Sequence, residues 1–559
     1  MKLNKFLYIG VAAMLSLTSC NDFLDKLPDN RIDPNSPEQL RLVLAGGYAE
    51  ANYALLCELS SDNAIDNHAP DEKGLSYPNL GAFSQMDDQA FAWEDVNKES
   101  MQDSPTYLWS SYYKSVAVAN HVLAKVDEFR AEGRYTDGRD SELLDAVYGE
   151  ALLIRAYYHF VLVNLFAPQY RGEASANDQG IPYCLTPEDK VFVDYQRESV
   201  KAVYDKIEQD LLEGLKHIND QFHKNPKFHF NAQAAKAFAA RFYLYKRDYA
   251  NAEKYATEAL GASPEQMLRT NFWSSDFGTN YDACSAAYFS SSSANNLLLV
   301  PAVSNVFNHF AGGARYAISR DARVATMTGS APTWSQGRPG INYSFVNGSN
   351  EYGSIPFWMA PFFQYTDKVA GIGYFRSMIA EFTGEECLLI RAEARIFQNN
   401  LPGAVSDLAM WDNSQYGGNR GKAPVLTAQL IESYYNKANS TTGQFDPRPF
   451  ILQDLHIDDL YPVDNAQVTA QNLPYLWCVL HFRRIEQVFT GMRWFDVKRF
   501  GIEITHKIGE TRVETLPYND LRRAFQVPIE ALSSGMEPTV RAGKLPDPSE
   551  MGSWVKPIR

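Results

Sequence analysis

Leu152-Leu153-Ile154-Arg155-Ala156 recurs unchanged as Leu388-Leu389-Ile390-Arg391-Ala392. Both copies sit in long stretches with helical apolar spacing. Repetition of a helical unit at such a distance points to a repeat architecture, and tetratricopeptide spacing is the pattern that fits. Over 232–264, Ala240 and Ala252 take the two small positions where paired helices touch, 12 residues apart. Tyr243 packs on the first helix, Asp248-Tyr249 makes the turn, Ala256 and Ala259 continue the second helix, and Pro264 ends it. Over 385–411 the logic repeats: Ala392 and Ala404 are again 12 apart, with Leu401-Pro402-Gly403 as the turn. Small residues let helices approach, and apolar neighbours at i, i+3 and i+4 fill the seam. Glu385, Glu386 and Glu393, on the same helix as the second pentapeptide, read as its solvated surface.

Further helices are expected at 106–130, 141–166, 199–219 and 481–500. The third starts on a capping serine and carries Val200, Val203, Ile207, Leu211 and Leu215 on one face. Trp109, Trp411, Trp477 and Trp494 lie in helical patterns and read as core. The composition changes over 62–103 and 267–367, which are rich in Ser, Asn, Gly and aromatics and poor in helical period. Disordered segments are poor in aromatics, so inserts of this kind point to function. The expected fold is mostly α: tetratricopeptide-like helix pairs as a scaffold (about 106–265 and 380–500), long loop-rich inserts and a few short strands, in one domain over 20–559.

Residues 1–19 carry Lys2, Lys5 and an apolar run from Phe6 to Leu17, too short to span a bilayer. This is a secretory signal with a processing site. Its ending, Leu17-Thr18-Ser19-Cys20, resembles the bacterial lipobox, whose cysteine takes a diacylglycerol and becomes the new N-terminus. The expectation is a lipoprotein tethered through Cys20; an ordinary signal with a chance cysteine is the alternative. Loss of the signal removes two lysines and leaves the remainder more negative than the −15 of the whole chain. An acidic chain repels phosphate backbones, which argues against nucleic acid as a partner. The other cysteines, Cys57, Cys184, Cys284, Cys387 and Cys478, are odd in number, widely spaced and without CxxC, so neither a disulfide framework nor a zinc knuckle is expected.

Enzyme signatures are missing: there is no HExxH and no GxSxG, and Gly371-Ile372-Gly373 meets Arg376 where a dinucleotide loop needs its third glycine. No catalytic residue, cofactor or metal is expected. Asp62, Asn63, Asp66, Asn67 and Asp71, like Asp454, Asp458 and Asp459, are oxygen-rich enough for Ca²⁺ but lack EF-hand spacing, and such runs more often make loops and caps. Loop aromatics are the better candidates. A flat ring covers the C–H face of a sugar while neighbouring amides, carboxylates or guanidinium groups take its hydroxyls. Trp93, Trp273, Tyr281 and Trp334 stand in such polar contexts, with Arg338 beside the last. For each of these rings the bland reading is the roof of a satellite core under a long loop.

Several stretches together resemble the SusD/RagB family of outer-membrane nutrient-binding lipoproteins. These are Cys20-Asn21-Asp22-Phe23-Leu24-Asp25, Leu59-Ser60-Ser61-Asp62-Asn63, Ile154-Arg155-Ala156-Tyr157-Tyr158 with Leu165-Phe166-Ala167, Arg391-Ala392-Glu393-Ala394, Gly491-Met492-Arg493-Trp494-Phe495-Asp496 and Val527-Pro528-Ile529. The insert after Met267 matches no pattern of the family. The resemblance implies a helical-repeat fold and, as partner, a TonB-dependent outer-membrane transporter to which captured oligosaccharide is delivered. It implies a cell-surface glycan-binding lipoprotein. An oligopeptide ligand, or a helical scaffold for a partner protein without any small ligand, are the alternatives.

Overall fold

A computed structural model describes residues 34–71, 74–96, 98–188, 195–270, 280–310, 314–339, 357–417, 419–439, 446–462 and 466–546. Cys20 and Trp273 lie outside them. Ser104 accepts a hydrogen bond from the Tyr107 amide and Pro105 opens the first long helix, α1 (Pro105–Ala131). Next come α2 (Gly138–Phe166) and α3 (Val200–His217), the latter capped by Ser199 through the Ala202 amide. After them stand α4 (Ala232–Lys246), α5 (Tyr249–Leu260), α6 (Gly384–Phe397), α7 (Leu401–Ser414), α8 (Leu473–Glu486) and α9 (Met492–Phe500). α2 lies between α1 and α3, α5 between α4 and α6, and α6 also packs on α7 and α8. Among the described residues no helix is long and apolar enough to cross a membrane.

The strands are few. β1 (Ala64–Asp66) pairs antiparallel with β3 (Tyr316–Ile318), Ile65 opposite Ala317. β2 (Asn296–Ala302), β5 (Ile372–Thr383) and β4 (Phe362–Asp367) form a three-stranded sheet with β5 in the middle. β6 (Ile504–Ile508) and β7 (Arg512–Leu516) make a hairpin, Ile504 opposite Leu516. The insert over 267–367 is thus more regular than its composition indicates. It supplies β2, β3, β4 and a helix at Tyr281–Tyr288.

Both copies of the repeated pentapeptide are buried throughout, and each arginine forks onto a carboxylate of the next helix. Arg155 of α2 meets Asp210 of α3 with both contacts at 2.7 Å. Arg391 of α6 meets Asp407 of α7 at 3.0 and 2.7 Å. The small residues Ala240, Ala252, Ala392 and Ala404 are all in the core, as are Trp109, Trp411, Trp477 and Trp494. The five cysteines among the described residues are free, and all but Cys184 are buried.

Three sequence expectations are corrected. Glu385, Glu386 and Glu393 are not solvated but buried. Glu386 receives the Arg241 fork at 2.7 and 2.6 Å, and Glu393 that of Arg499 at 2.6 and 3.1 Å. Glu385 accepts from the Arg269 amide and from Asn295. The helix expected over 481–500 is two, α8 and α9, broken before Gly491, whose φ is 78°. That conformation favours glycine, and a Cβ there would stand 2.9 Å from the Ala54 Cα. Finally, Leu401-Pro402-Gly403 begins a helix rather than making the turn; the Asn400 side chain caps it, and Asn399 turns at φ 60°.

α9 is densely tied to other elements by its charged side chains. Arg493 forks onto Asp62, Asp496 accepts from Arg483 and Arg499, and Lys498 donates to the Asn164 and Ala167 carbonyls at the end of α2 (2.5 and 2.8 Å). Just before α9, the Gly491 amide donates to Glu58 (3.1 Å), which also accepts from the Asn63 side chain (2.9 Å).

Two measurements test this account. Arg155→Leu strands the Asp210 carboxylate in a dry seam and is expected to cost about 3 kcal/mol or more in chemical denaturation, while R155L/D210L recovers most of it. Burial raises the Glu58 carboxyl from its ordinary 4.5 to about 7, against the hydrogen bonds from Asn63, Gly491 and Phe489 that favour the anion. The folded state therefore keeps a proton that the unfolded state releases as pH rises from 4.5 to 7. Wild-type stability from this group is lost over that window, by about 3 kcal/mol in total. Glu58→Gln removes the titration, so its stability relative to wild type rises with pH; a pH-independent difference would contradict the buried, protonated Glu58.

Candidate functional site

A cleft of about 400 Å³ opens between the segment after Ser60, the start of the helix at Arg320–Arg323, the loop around Phe450 and the β6 strand. Its floor is built on Asp62, Asp66, Phe91 and His506. Asp62 is held by Arg484 (2.5 Å), by both arms of Arg493 (2.8 Å each) and by Gln453 (2.8 Å). Burial alone would raise its pKa, but Arg484 and Arg493 outweigh it and hold the carboxyl well below the usual carboxylate range. Asp66 pairs with Arg315 at 3.0 and 2.7 Å and accepts from the Gly509 and His68 amides. Its pKa is likewise lowered: burial opposes ionisation, and Arg315 and the amides prevail. These acids anchor the floor and are engaged by protein donors, so the oxygen-rich run from Asp62 serves as a set of loop anchors.

His506 stacks on Phe91 (centroids 3.9 Å apart, planes at 5°) and on Trp93 (4.3 Å, 15°). Its Nδ1 lies 2.7 Å from the Phe91 carbonyl and its Nε2 3.0 Å from that of Ser61. Burial lowers its pKa although both carbonyls favour the charged form. The walls are more open. Phe450 is half-buried, with the Arg484 guanidinium 4.3 Å over its ring, and its remaining surface lines the cleft. Ile65 and Pro70 add apolar wall. Asp71, Arg320, Asp321, Glu503, Thr505 and Lys507 stand exposed around the mouth. The cleft thus joins one accessible ring and a short apolar wall to exposed donors and acceptors of both charges.

The residues singled out from sequence are not gathered here. Trp93 is 3% exposed; its Nε1 donates to the Ser60 carbonyl at 2.9 Å and its ring is stacked on His506, so it braces the floor from inside and offers no free face. Arg338 is also buried: Nε donates to Gln415 (2.6 Å) and Nη2 lies 3.3 Å from Glu486, so its fork is spent within the protein. Tyr281 is half-buried beside Phe307 (centroids 6.1 Å), and Trp334 is half-buried with its ring tilted 69° to Tyr416 at 6.2 Å. Neither lines the cleft. Phe450, Arg320 and Lys507 were missed. They sit outside the aromatic-rich inserts or lack aromatic neighbours, and only tertiary contacts bring their segments together: pairing of β1 with β3, packing of β6 on β1, and the Gln453 bond to Asp62.

Comparison with known proteins agrees with this architecture. The SusD-like family model described as "Starch-binding associating with outer membrane" matches residues 22–244. No curated protein sequence matches the chain. A SusD superfamily protein from Bacteroides thetaiotaomicron superimposes with a TM-score of 0.58 at 16% identity, covering 90% of this chain and 100% of its own. One from Bacteroides fragilis gives 0.56 at 16% identity, over 89% and 98%. A candidate sugar-binding protein from Bacteroides vulgatus gives 0.61 at 16% identity, over 91% and 99%. At such identity the structures speak to the fold, and the family match speaks to the N-terminal part of the chain. The chain thus shares its fold with SusD superfamily structures and resembles the SusD-like family over residues 22–244.

Proposed function

We propose that this chain is a cell-surface glycan-binding lipoprotein, anchored through Cys20, which captures oligosaccharide in the cleft walled by Phe450 and passes it to a TonB-dependent outer-membrane transporter. The observation that carries the reading is the cleft itself. Phe450 offers a platform for the C–H face of a sugar ring, while Arg320, Asp321, Thr505 and Lys507 stand where ring hydroxyls need donors and acceptors. The description of the matched family as starch-binding supports a glycan as ligand, and its association with the outer membrane supports the anchor.

The floor supports binding rather than hydrolysis. A glycosidase needs one carboxyl kept protonated near neutral pH to act as acid. Asp62 and Asp66 are both shifted the other way by their arginines.

Affinity electrophoresis and calorimetry against a polysaccharide panel that includes starch test the proposal. Phe450→Ala and Arg320→Ala are each expected to weaken binding by about tenfold with the circular dichroism unchanged. Trp334→Ala, outside the cleft, is expected to leave affinity unaltered. Loss on Trp334→Ala with none on Phe450→Ala would move the site to the insert, and silence across the panel from folded protein would remove the glycan reading. Cys20→Ala is expected to shift the protein from the membrane fraction to the soluble fraction of the cell.

A further inference from the structure

Between α1, the segment 45–50 before it and β2 lies a second cavity, of about 550 Å³, lined by Tyr48, Glu50, Tyr107, Lys114 and His229 among others. His229 borders it, and behind His229 sits a cluster that the glycan reading does not use. Glu150, from the middle of α2, is buried, and two histidines of the α3–α4 connection converge on its carboxylate. His229 Nδ1 is 2.9 Å from Oε1 and His223 Nε2 is 3.6 Å from Oε2. The two imidazoles lie face to face, centroids 4.2 Å apart and planes at 18°. One ligand atom from each of the three side chains lies within 4.8 Å of the other two.

His223 makes this more than a crowded corner. Its side chain is 3% exposed, yet Nδ1 has no hydrogen-bond partner and Nε2 stops 3.6 Å short of Glu150. The buried Nδ1 without a partner holds the ring at a cost, and Nε2 is within reach of Glu150 but not hydrogen-bonded to it, which leaves Nε2 available to a ligand. By contrast, Oε1 of Glu150 is oriented by the Tyr48 hydroxyl at 2.6 Å, the kind of outer partner that fixes a ligating carboxylate.

We propose that a first-row divalent cation of the zinc class binds between Glu150, His223 and His229, tying the α3–α4 connection to α2. Ligands at about 2.0–2.1 Å in a tetrahedral shell are separated by about 3.3 Å. His229 stands 2.9 Å from Oε1 and His223 3.6 Å from Oε2, on either side of that value, so Glu150 presents one oxygen to each imidazole. Two imidazole nitrogens and one carboxylate oxygen suit Zn²⁺ and its neighbours and do not suit Ca²⁺ or Mg²⁺, which take all-oxygen shells. Three protein ligands leave a fourth position for water, and the cavity beside His229 is the entry path.

The experiment is a calorimetric titration of the EDTA-stripped full mature chain with ZnCl₂, followed by Co²⁺ substitution. One Zn²⁺ per chain, a melting temperature raised by Zn²⁺ and not by Ca²⁺, and visible d–d bands of tetrahedral Co²⁺ are expected. His223→Ala and His229→Ala should each weaken Zn²⁺ binding by more than about tenfold. His121→Ala, exposed on α1, should leave it unchanged. Absence of stoichiometric binding by wild type, or binding that survives both cluster variants, overturns the proposal. If a cluster variant fails to fold, the wild-type comparison of Zn²⁺, Ca²⁺ and EDTA melts with the Co²⁺ spectrum decides alone.

Discussion

Buried arginine–carboxylate pairing at α9 is the interaction on which the rest of the molecule depends. Within eight residues, Arg493 reaches Asp62 near the start of the described chain, Asp496 joins Arg483 of α8 to Arg499, and Arg499 reaches Glu393 of α6. Lys498 closes the buried carbonyls of Asn164 and Ala167 at the end of α2. Taking these charges out of water is costly, and each pair recovers the cost only in good geometry. A guanidinium fork meets a carboxylate in few orientations, so what the network supplies is register: α2, α6, α8 and the Asp62 segment can dock on α9 in one way. The same device, at smaller scale, holds each repeated pentapeptide to its neighbour through Arg155–Asp210 and Arg391–Asp407.

That network explains what was legible in the sequence. Helix positions in the repeats follow from apolar spacing and alanine pairs, which are local signals, and the scaffold matches them closely. Glu386 and Glu393 were misread because a glutamate on a helix is ordinarily solvated, and nothing nearby in sequence announces its partner; Arg241 is 145 positions before Glu386 and Arg499 is 106 after Glu393. The break before α9 has a similar origin. Gly491 looks like a weak point inside a helix, and it becomes a terminus only because Ala54 and Cys57 press against it from another part of the chain.

The site was less legible than the scaffold for a related reason. A tryptophan among polar residues carries the same local signal whether its ring faces sugar or roofs a core. Trp93 turns inward because its backbone adopts φ 53° and its indole finds the Ser60 carbonyl and the face of His506, a residue 413 positions further along. Phe450 faces the cleft without any aromatic neighbour to mark it. Its environment is set by Arg484, itself placed by Asp62.

Asp62 therefore belongs to both systems. It is the anchor through which α8 and α9 hold the N-terminal segment, and it is also part of the cleft floor. A sugar gains little from each contact, because every hydroxyl it buries was already hydrated, so a rigid surface that loses little entropy on binding has the advantage. With its floor carboxylates locked to Arg484, Arg493 and Arg315, the cleft would meet the proposed glycan already ordered. The exposed charges, Arg320, Asp321 and Lys507, stand at the mouth, where solvent screens them and where the proposed glycan would present its hydroxyls. On the proposed glycan reading, scaffold ion pairs do the ordering in advance, and the exposed rim is left to do the choosing.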